Sequence, residues 1–134
     1  DIALAVDADG LHVGQEALPV QEARRLLGKD KILGYSVATV EEALFGQQSG
    51  ADYLGAGPIY PTGSKADAAP PIGIDTLKSI KESVSIPVVA IGGIGATNIK
   101  EIKGSGIDGV SVISAILGSA DIKEASRRLV KMWR

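Results

Sequence analysis

Five apolar runs, each released into a loop rich in glycine or serine and then into a helical pattern, constrain this chain more than any other feature. They span residues 9–15, 31–37, 52–60, 87–91 and 109–116. Strand followed by helix, repeated five times, implies a parallel sheet with right-handed crossovers. Pro87 to Ile91 is apolar and β-branched, the mark of a strand buried on both faces. A weak internal repeat supports this division. Ala8-Asp9-Gly10, Ala51-Asp52-Tyr53 and Ile107-Asp108-Gly109 each stand after a helical pattern and just before a strand.

The helices carry their own punctuation. Residues 1–8 read as the end of a helix. Leu18 to Leu27 places Leu18, Val20, Ala23, Leu26 and Leu27 near helical spacing, with Pro19 in the first turn and Gly28 as the stop. Thr39 and Glu42 form a capping box for a helix that ends near Gly50. Asp75 is expected to cap a helix over 76–84. Another helix runs from about Thr97 to Lys103, closed by Gly106. Asp121 and Glu124 repeat the capping spacing, and the last helix reaches Arg134. Its basic end (Arg127, Arg128, Lys131, Arg134) suits the C-terminal dipole.

Two architectures use such alternation. A five-stranded open parallel sheet suits 134 residues well. A (β/α)8 barrel needs roughly 200 residues or more. The glycines favour the barrel, because its phosphate sites sit on the loops after the last strands. Here those loops are Gly92-Gly93 and the Ser114 region. No linker or low-complexity stretch divides the chain, so residues 1–134 read as one domain.

Composition narrows the function. A net charge of −2 without a basic run argues against nucleic acid, as do aromatics at only 4%. The chain has no cysteine, which excludes disulfides and thiolate metal sites and fits a reducing cytoplasm. No apolar stretch reaches membrane-spanning length, and no basic segment of signal-peptide type opens the chain.

In parallel α/β proteins function belongs at the C-terminal ends of the strands. There the stretch Gly55-Ala56-Gly57-Pro58-Ile59-Tyr60-Pro61-Thr62-Gly63-Ser64-Lys65 ends in two hydroxyls, free amides and one cation. Those groups suit phosphate oxygens, although a polar turn with a solvated lysine has the same composition. Gly92-Gly93 lets backbone N–H groups approach an anion. Ser114 and Ser36 each sit at the end of a strand, and Gln15 lies where the first strand meets its loop. His12 is the sole histidine and reads more readily as structural than catalytic. Asp9, Asp52 and Asp108 lie at the opposite ends of the strands, where turn and cap duty is their natural role. Glu16 and Asp67 are the acids on the functional side.

Taken together, five blocks in order resemble thiamine-phosphate synthase. They are Asp9-Gly10-Leu11-His12-Val13-Gly14-Gln15-Glu16, Ile32-Leu33-Gly34-Tyr35-Ser36, and Gly57-Pro58-Ile59-Tyr60-Pro61-Thr62-Gly63-Ser64-Lys65. Val89-Ala90-Ile91-Gly92-Gly93-Ile94 and Gly109-Val110-Ser111-Val112-Ile113-Ser114-Ala115-Ile116 complete the set. The resemblance covers essentially the whole chain and matches the later part of the family, from about the third helix of its barrel.

The resemblance implies a (β/α)8 barrel, here an incomplete one of about five βα units, closed by an N-terminal part or by self-association. It implies an enzyme of thiamine biosynthesis. The family condenses 4-amino-2-methyl-5-hydroxymethylpyrimidine diphosphate with a thiazole phosphate, with Mg²⁺, and releases diphosphate. Carried over by position, Thr62, Ser64, Gly93, Ile113 and Ser114 hold the thiazole phosphate. Lys65, Ser36 and Gln15 bind the pyrimidine diphosphate, with Lys65 and Ser36 as the catalytic pair. The departures concern the metal and the diphosphate. The position of one Mg²⁺ aspartate is Ala17, the other aspartate lies upstream of the residues present, and the usual histidine after Ser36 is Ala38. Little synthase activity is expected of these 134 residues alone. A non-catalytic phosphate-binding module and a thiazole tautomerase-like paralogue are the alternatives.

Overall fold

The computed structural model describes residues 1–63 and 69–134. A short helix α1 (Ile2–Ala5) leads into β1 (Gly10–Val13), α2 (Val20–Leu27), β2 (Ile32–Val37) and α3 (Val40–Gln48). β3 (Tyr53–Ala56), α4 (Gly73–Ser83), β4 (Val88–Ile91) and α5 (Ile99–Lys103) follow. The chain closes with β5 (Gly109–Ser111), α6 (Ser114–Leu117) and α7 (Ile122–Trp133). The five strands form one parallel sheet in the order β1-β2-β3-β4-β5, each pairing with its neighbour in sequence. That simple progression is the order of a barrel wall laid open.

Successive side chains point to opposite faces of a strand. Leu33, Tyr35, Val37, Leu54, Ala56, Val88 and Ala90 are buried on the face that packs against helices. They meet Val20, Ala23 and Leu27 of α2, Leu77 and Ile80 of α4, and Ile99 and Ile102 of α5 in one apolar cluster. The other face carries His12, Gly34, Ser36, Tyr53 and Gly55.

The repeated aspartates begin strands. Asp52 Oδ2 accepts the Leu33 amide at 2.7 Å and pairs with Arg24. Arg24 also donates to the carbonyls of Gly50, Gly28 and Lys31, tying α2 to the starts of β2 and β3. Asp108 Oδ2 accepts the Val88 amide at 2.8 Å and the Lys81 ammonium at 2.7 Å. The Lys81 contact, helped by that amide, holds the Asp108 carboxyl below its ordinary value of 3.8. The stability it supplies is therefore complete above that value and is lost as pH falls through the lower folded one. Asp108→Asn is expected to lower the melting temperature at neutral pH, with a deficit that narrows as the pH is taken below 3.8. A deficit constant with pH in thermal melts contradicts the assignment.

Several boundaries differ from the sequence expectation. α4 begins at Gly73 rather than after an Asp75 cap. The Ile72 amide donates to Pro58 O and the Gly73 amide to Ile59 O, so the backbone of the loop after β3 sets the entry. Asp75 sits inside the first turn, where its charge suits the dipole. β3 ends at Ala56 rather than continuing to residue 60, because Pro58 has no N–H for the ladder. Ile59 and Tyr60 still donate to Ile91 O and Gly92 O. β5 stops at Ser111, and 114–117 turn into α6 through bonds from Ile116 and Leu117 to Ile113 O. Ser114 thus opens a helix instead of ending a strand. An apolar run this short reads alike in either state. Finally, α5 closes at Gly104, and Gly106 lies in the turn beyond it.

The capping box of α3 forms as expected, with Thr39 Oγ1 accepting the Glu42 amide and the Glu42 carboxylate returning to Thr39 N. Asp121 caps α7 by accepting the Glu124 amide at 2.9 Å.

Candidate active site

The loops at the C-terminal ends of all five strands enclose one cavity of about 790 Å³. Gln15 and Ala17 come from the loop after β1, Ser36 and Ala38 from the end of β2, and Thr62 from the loop after β3. Gly92 and Gly93 follow β4, and Ile113 and Ser114 follow β5. Every described residue singled out from the sequence for phosphate or diphosphate contact (Gln15, Ser36, Thr62, Gly93, Ile113 and Ser114) therefore lines the same space. Ser64, Lys65 and Asp67 lie outside the described residues.

The loop after β4 is fixed from both sides. Gly92 has φ +100° and Gly93 φ +66°, a region in which a side chain is strained. A Cβ on Gly93 would lie 2.7 Å from Pro61 O, so the loop after β3 presses directly on it. Asn98 holds this turn, donating to Gly93 O and accepting from Gly95 N, each at 2.9 Å. Tyr60 braces the neighbouring loop, donating to Glu101 Oε2 at 2.7 Å. Burial and that carboxylate push the Tyr60 hydroxyl up to about 12, so it stays protonated.

The opposite wall is a polar network. Gln15 Nε2 donates to Ser36 O at 3.0 Å, and Gln15 Oε1 accepts from the Tyr35 hydroxyl at 3.0 Å. Both ends of the amide are thus engaged, which holds Gln15 at the rim. His12 lies 2.9 Å from Ser36 Oγ through Nε2 and 2.9 Å from the Tyr53 hydroxyl through Nδ1. Desolvation against this wall lowers the His12 pKa, keeping the ring neutral at physiological pH. The histidine read as structural is therefore a direct neighbour of a cavity-lining hydroxyl. Asn98, Tyr35 and Tyr53 were not singled out from the sequence. Each acts through backbone or side-chain geometry across elements, for which local spacing carries no signal.

Among the described residues that line the cavity, Glu16 is the charged one. Mg²⁺ demands near-octahedral oxygen donors, usually one or two carboxylates with water and substrate phosphates. Among the described residues no group of three or more acidic or histidine side chains gathers anywhere. Ala17 and Ala38 line the cavity without a donor atom on their side chains. The described residues do not by themselves fit the ion. No helix among the described residues is long and apolar enough to cross a membrane.

The comparisons with known proteins agree with this architecture. The sequence is 62% identical over 134 residues to a thiamine-phosphate synthase from Desulfitobacterium hafniense, covering 100% of this chain and 65% of that protein. A thiamine-phosphate synthase from Syntrophomonas wolfei is 53% identical over 133 residues, covering 99% of this chain and 64% of that one. Among solved structures, thiamine phosphate pyrophosphorylase from Pyrococcus furiosus superposes with a TM-score of 0.89 at 47% identity, over 98% of this chain and 62% of that protein. The chain thus spans just under two thirds of the length of the relatives it matches. The family model described as thiamine monophosphate synthase matches residues 1–116. With five parallel strands in barrel order and a shared cavity at their C-terminal ends, the chain belongs to the thiamine monophosphate synthase family.

Proposed function

We propose that this chain forms the phosphate-binding side of an enzyme of thiamine biosynthesis that joins pyrimidine diphosphate to thiazole phosphate. The observation that carries the reading is the single cavity onto which Thr62, Gly93 and Ser114 converge from one side and Gln15 and Ser36 from the other. The first group supplies hydroxyls and amides for the thiazole phosphate, completed by Ser64. The second group faces the pyrimidine diphosphate, completed by Lys65. The substrates are small phosphorylated molecules, and the cytoplasm is the compartment that fits a chain without cysteine. Edge strands β1 and β5 are where the remaining wall of the barrel adds, from elsewhere in the protein or from a second copy.

The chemistry fits a wall without a nucleophile–base pair. The C–O bond to diphosphate breaks first, and the electron pair leaves with the diphosphate. The thiazole nitrogen then supplies the pair for the new C–N bond to the pyrimidine methylene carbon. Such a path needs stabilisation of charge on the leaving group and exclusion of water. Lys65 serves the first need. Apolar residues around the cavity (Pro58, Ile91, Ile94, Val112) serve the second. In the family Mg²⁺ would share the leaving-group charge.

Separate titrations test the reading. Pyrimidine diphosphate and thiazole phosphate are each expected to bind, and Lys65→Ala is expected to weaken the first about tenfold or more while sparing the second. Binding of thiazole phosphate alone supports a non-catalytic phosphate module instead. Equal loss of both ligands in the variant refutes the role given to Lys65. Isomerisation of a thiazole phosphate without condensation points to the tautomerase reading.

A further inference from the structure

Tyr53 does not line the cavity, since it stands at the start of β3. Its hydroxyl nevertheless reaches His12 Nδ1 at 2.9 Å, and His12 Nε2 reaches Ser36 Oγ at 2.9 Å. Three side chains on three adjacent strands thus form one line that ends at the cavity. The line exists because of two glycines. A Cβ at Gly34 would collide with both His12 Nδ1 and the Tyr53 ring, and a Cβ at Gly55 would press on His12 Cε1 at 3.1 Å. The sheet is bare where the imidazole and phenol lie, with ring centroids 5.4 Å apart.

A neutral imidazole has one N–H and one lone pair, so the two bonds must run in the same direction along the line. Either Tyr53 donates to Nδ1 and Nε2–H donates to Ser36, or the whole sense reverses. Two preferences choose the first. A phenol is a stronger donor than an alcohol. An alcohol oxygen is a better acceptor than a phenol oxygen, whose lone pair is delocalised into the ring. With Ser36 Oγ accepting from His12, its own proton is left for the cavity. In the reversed sense Ser36 spends its proton on His12 and offers a ligand only lone pairs.

We propose that Tyr53 is a positioning residue that fixes His12 in its Nε2–H tautomer, so that Ser36 presents a hydroxyl proton to an acceptor atom of the diphosphate-bearing substrate. Bonds running in one sense polarise one another, which strengthens the final donor. The inference rests on the reading of Ser36 as a substrate contact, but its first test does not.

His12 is the only histidine, so its ring nitrogens give unambiguous signals in long-range proton–nitrogen correlation spectra of the ligand-free protein. At neutral pH the expected result is a pyridine-type Nδ1 and a pyrrole-type Nε2. The opposite assignment overturns the proposal whether or not any substrate binds. Tyr53→Phe keeps the ring over Gly34 and removes only the donor. Its Nδ1 signal is expected to move towards that of an unbonded pyridine-type nitrogen. Pyrimidine diphosphate affinity is expected to fall about three- to tenfold, with thiazole phosphate affinity unchanged. In a Ser36→Ala background Tyr53→Phe is expected to have no further effect on affinity. An unchanged affinity in the single variant, or an equal further loss in the double variant, rules out action through Ser36. Should Tyr53→Phe unfold the protein, the Nε2 signal of Ser36→Ala decides instead. It is expected to stay pyrrole-type, since Tyr53 sets the tautomer, and a switch to pyridine-type refutes the proposal.

Discussion

Gly92→Ala is expected to destabilise the protein by about 2–5 kcal/mol, from two additive sources. The first is conformational: φ at Gly92 is +100°, and a Cβ in the left-handed region costs about 1–2 kcal/mol. The second is crowding. The new methyl would lie 2.5 Å from Pro58 Cβ, in a rigid ring, and 2.6 Å from Pro58 Cα, in a backbone held by its own hydrogen bonds. Overpacking of that kind costs about 1–3 kcal/mol. Gly106→Ala separates the two. Gly106 has φ +79° with no atom within 4 Å of its would-be Cβ, so it carries only the first cost. Urea unfolding of both variants is expected to give a larger loss at Gly92. Equal losses would show that the loop after β3 yields to the methyl. Because Pro58 and Gly92 both line the cavity, the same displacement is expected to weaken the thiazole phosphate binding proposed there.

Leu54→Ala is the other large effect, and it acts on the opposite face of the sheet. Leu54 is fully buried in β3, and its Cδ2 lies 3.1 Å from where a Cβ on Gly46 of α3 would stand. Helix and strand therefore approach closely, with little room to collapse around a deletion. A loss of about 2–5 kcal/mol is expected, from lost transfer energy plus the cavity left behind. Against a typical total of about 5–15 kcal/mol this is a large share. Urea midpoints should fall with the slope unchanged. A loss below about 1 kcal/mol would mean that α3 closes onto the sheet after all.

The sheet was legible because its signals are local. Each apolar run opens as a strand, and each aspartate of the repeat falls at a strand start where it meets a neighbouring strand or a partnering cation. The residues of the cavity were legible for a related reason: parallel topology sends every strand's C-terminal loop to one side, so Gln15, Ser36, Thr62, Gly93 and Ser114 had to be neighbours. Boundaries failed where a non-local partner decided them. α4 starts at Gly73 because Pro58 and Ile59 carbonyls receive its first amides, 14 residues back in each case. The reading of Ser114 as a strand residue failed because Val-Ile-Ser-Ala-Ile suits strand and short helix equally. Tyr53 and Asn98 were missed because their partners, His12 and Gly93, are set by cross-strand register and loop shape. Neither leaves a spacing in the sequence.

The carboxylates of Asp52 and Asp108 carry a consequence for the fidelity of assembly. Each accepts one amide from a neighbouring strand, at Leu33 and at Val88. A slip of one residue in either pairing would leave that carboxylate facing a carbonyl, and would turn every side chain of the strand to the other face. For β2 the error would bury Ser36 among the helices and strand Leu33 in the lumen. The two acids thus act as proofreading marks, penalising a misaligned sheet at the end opposite the cavity loops.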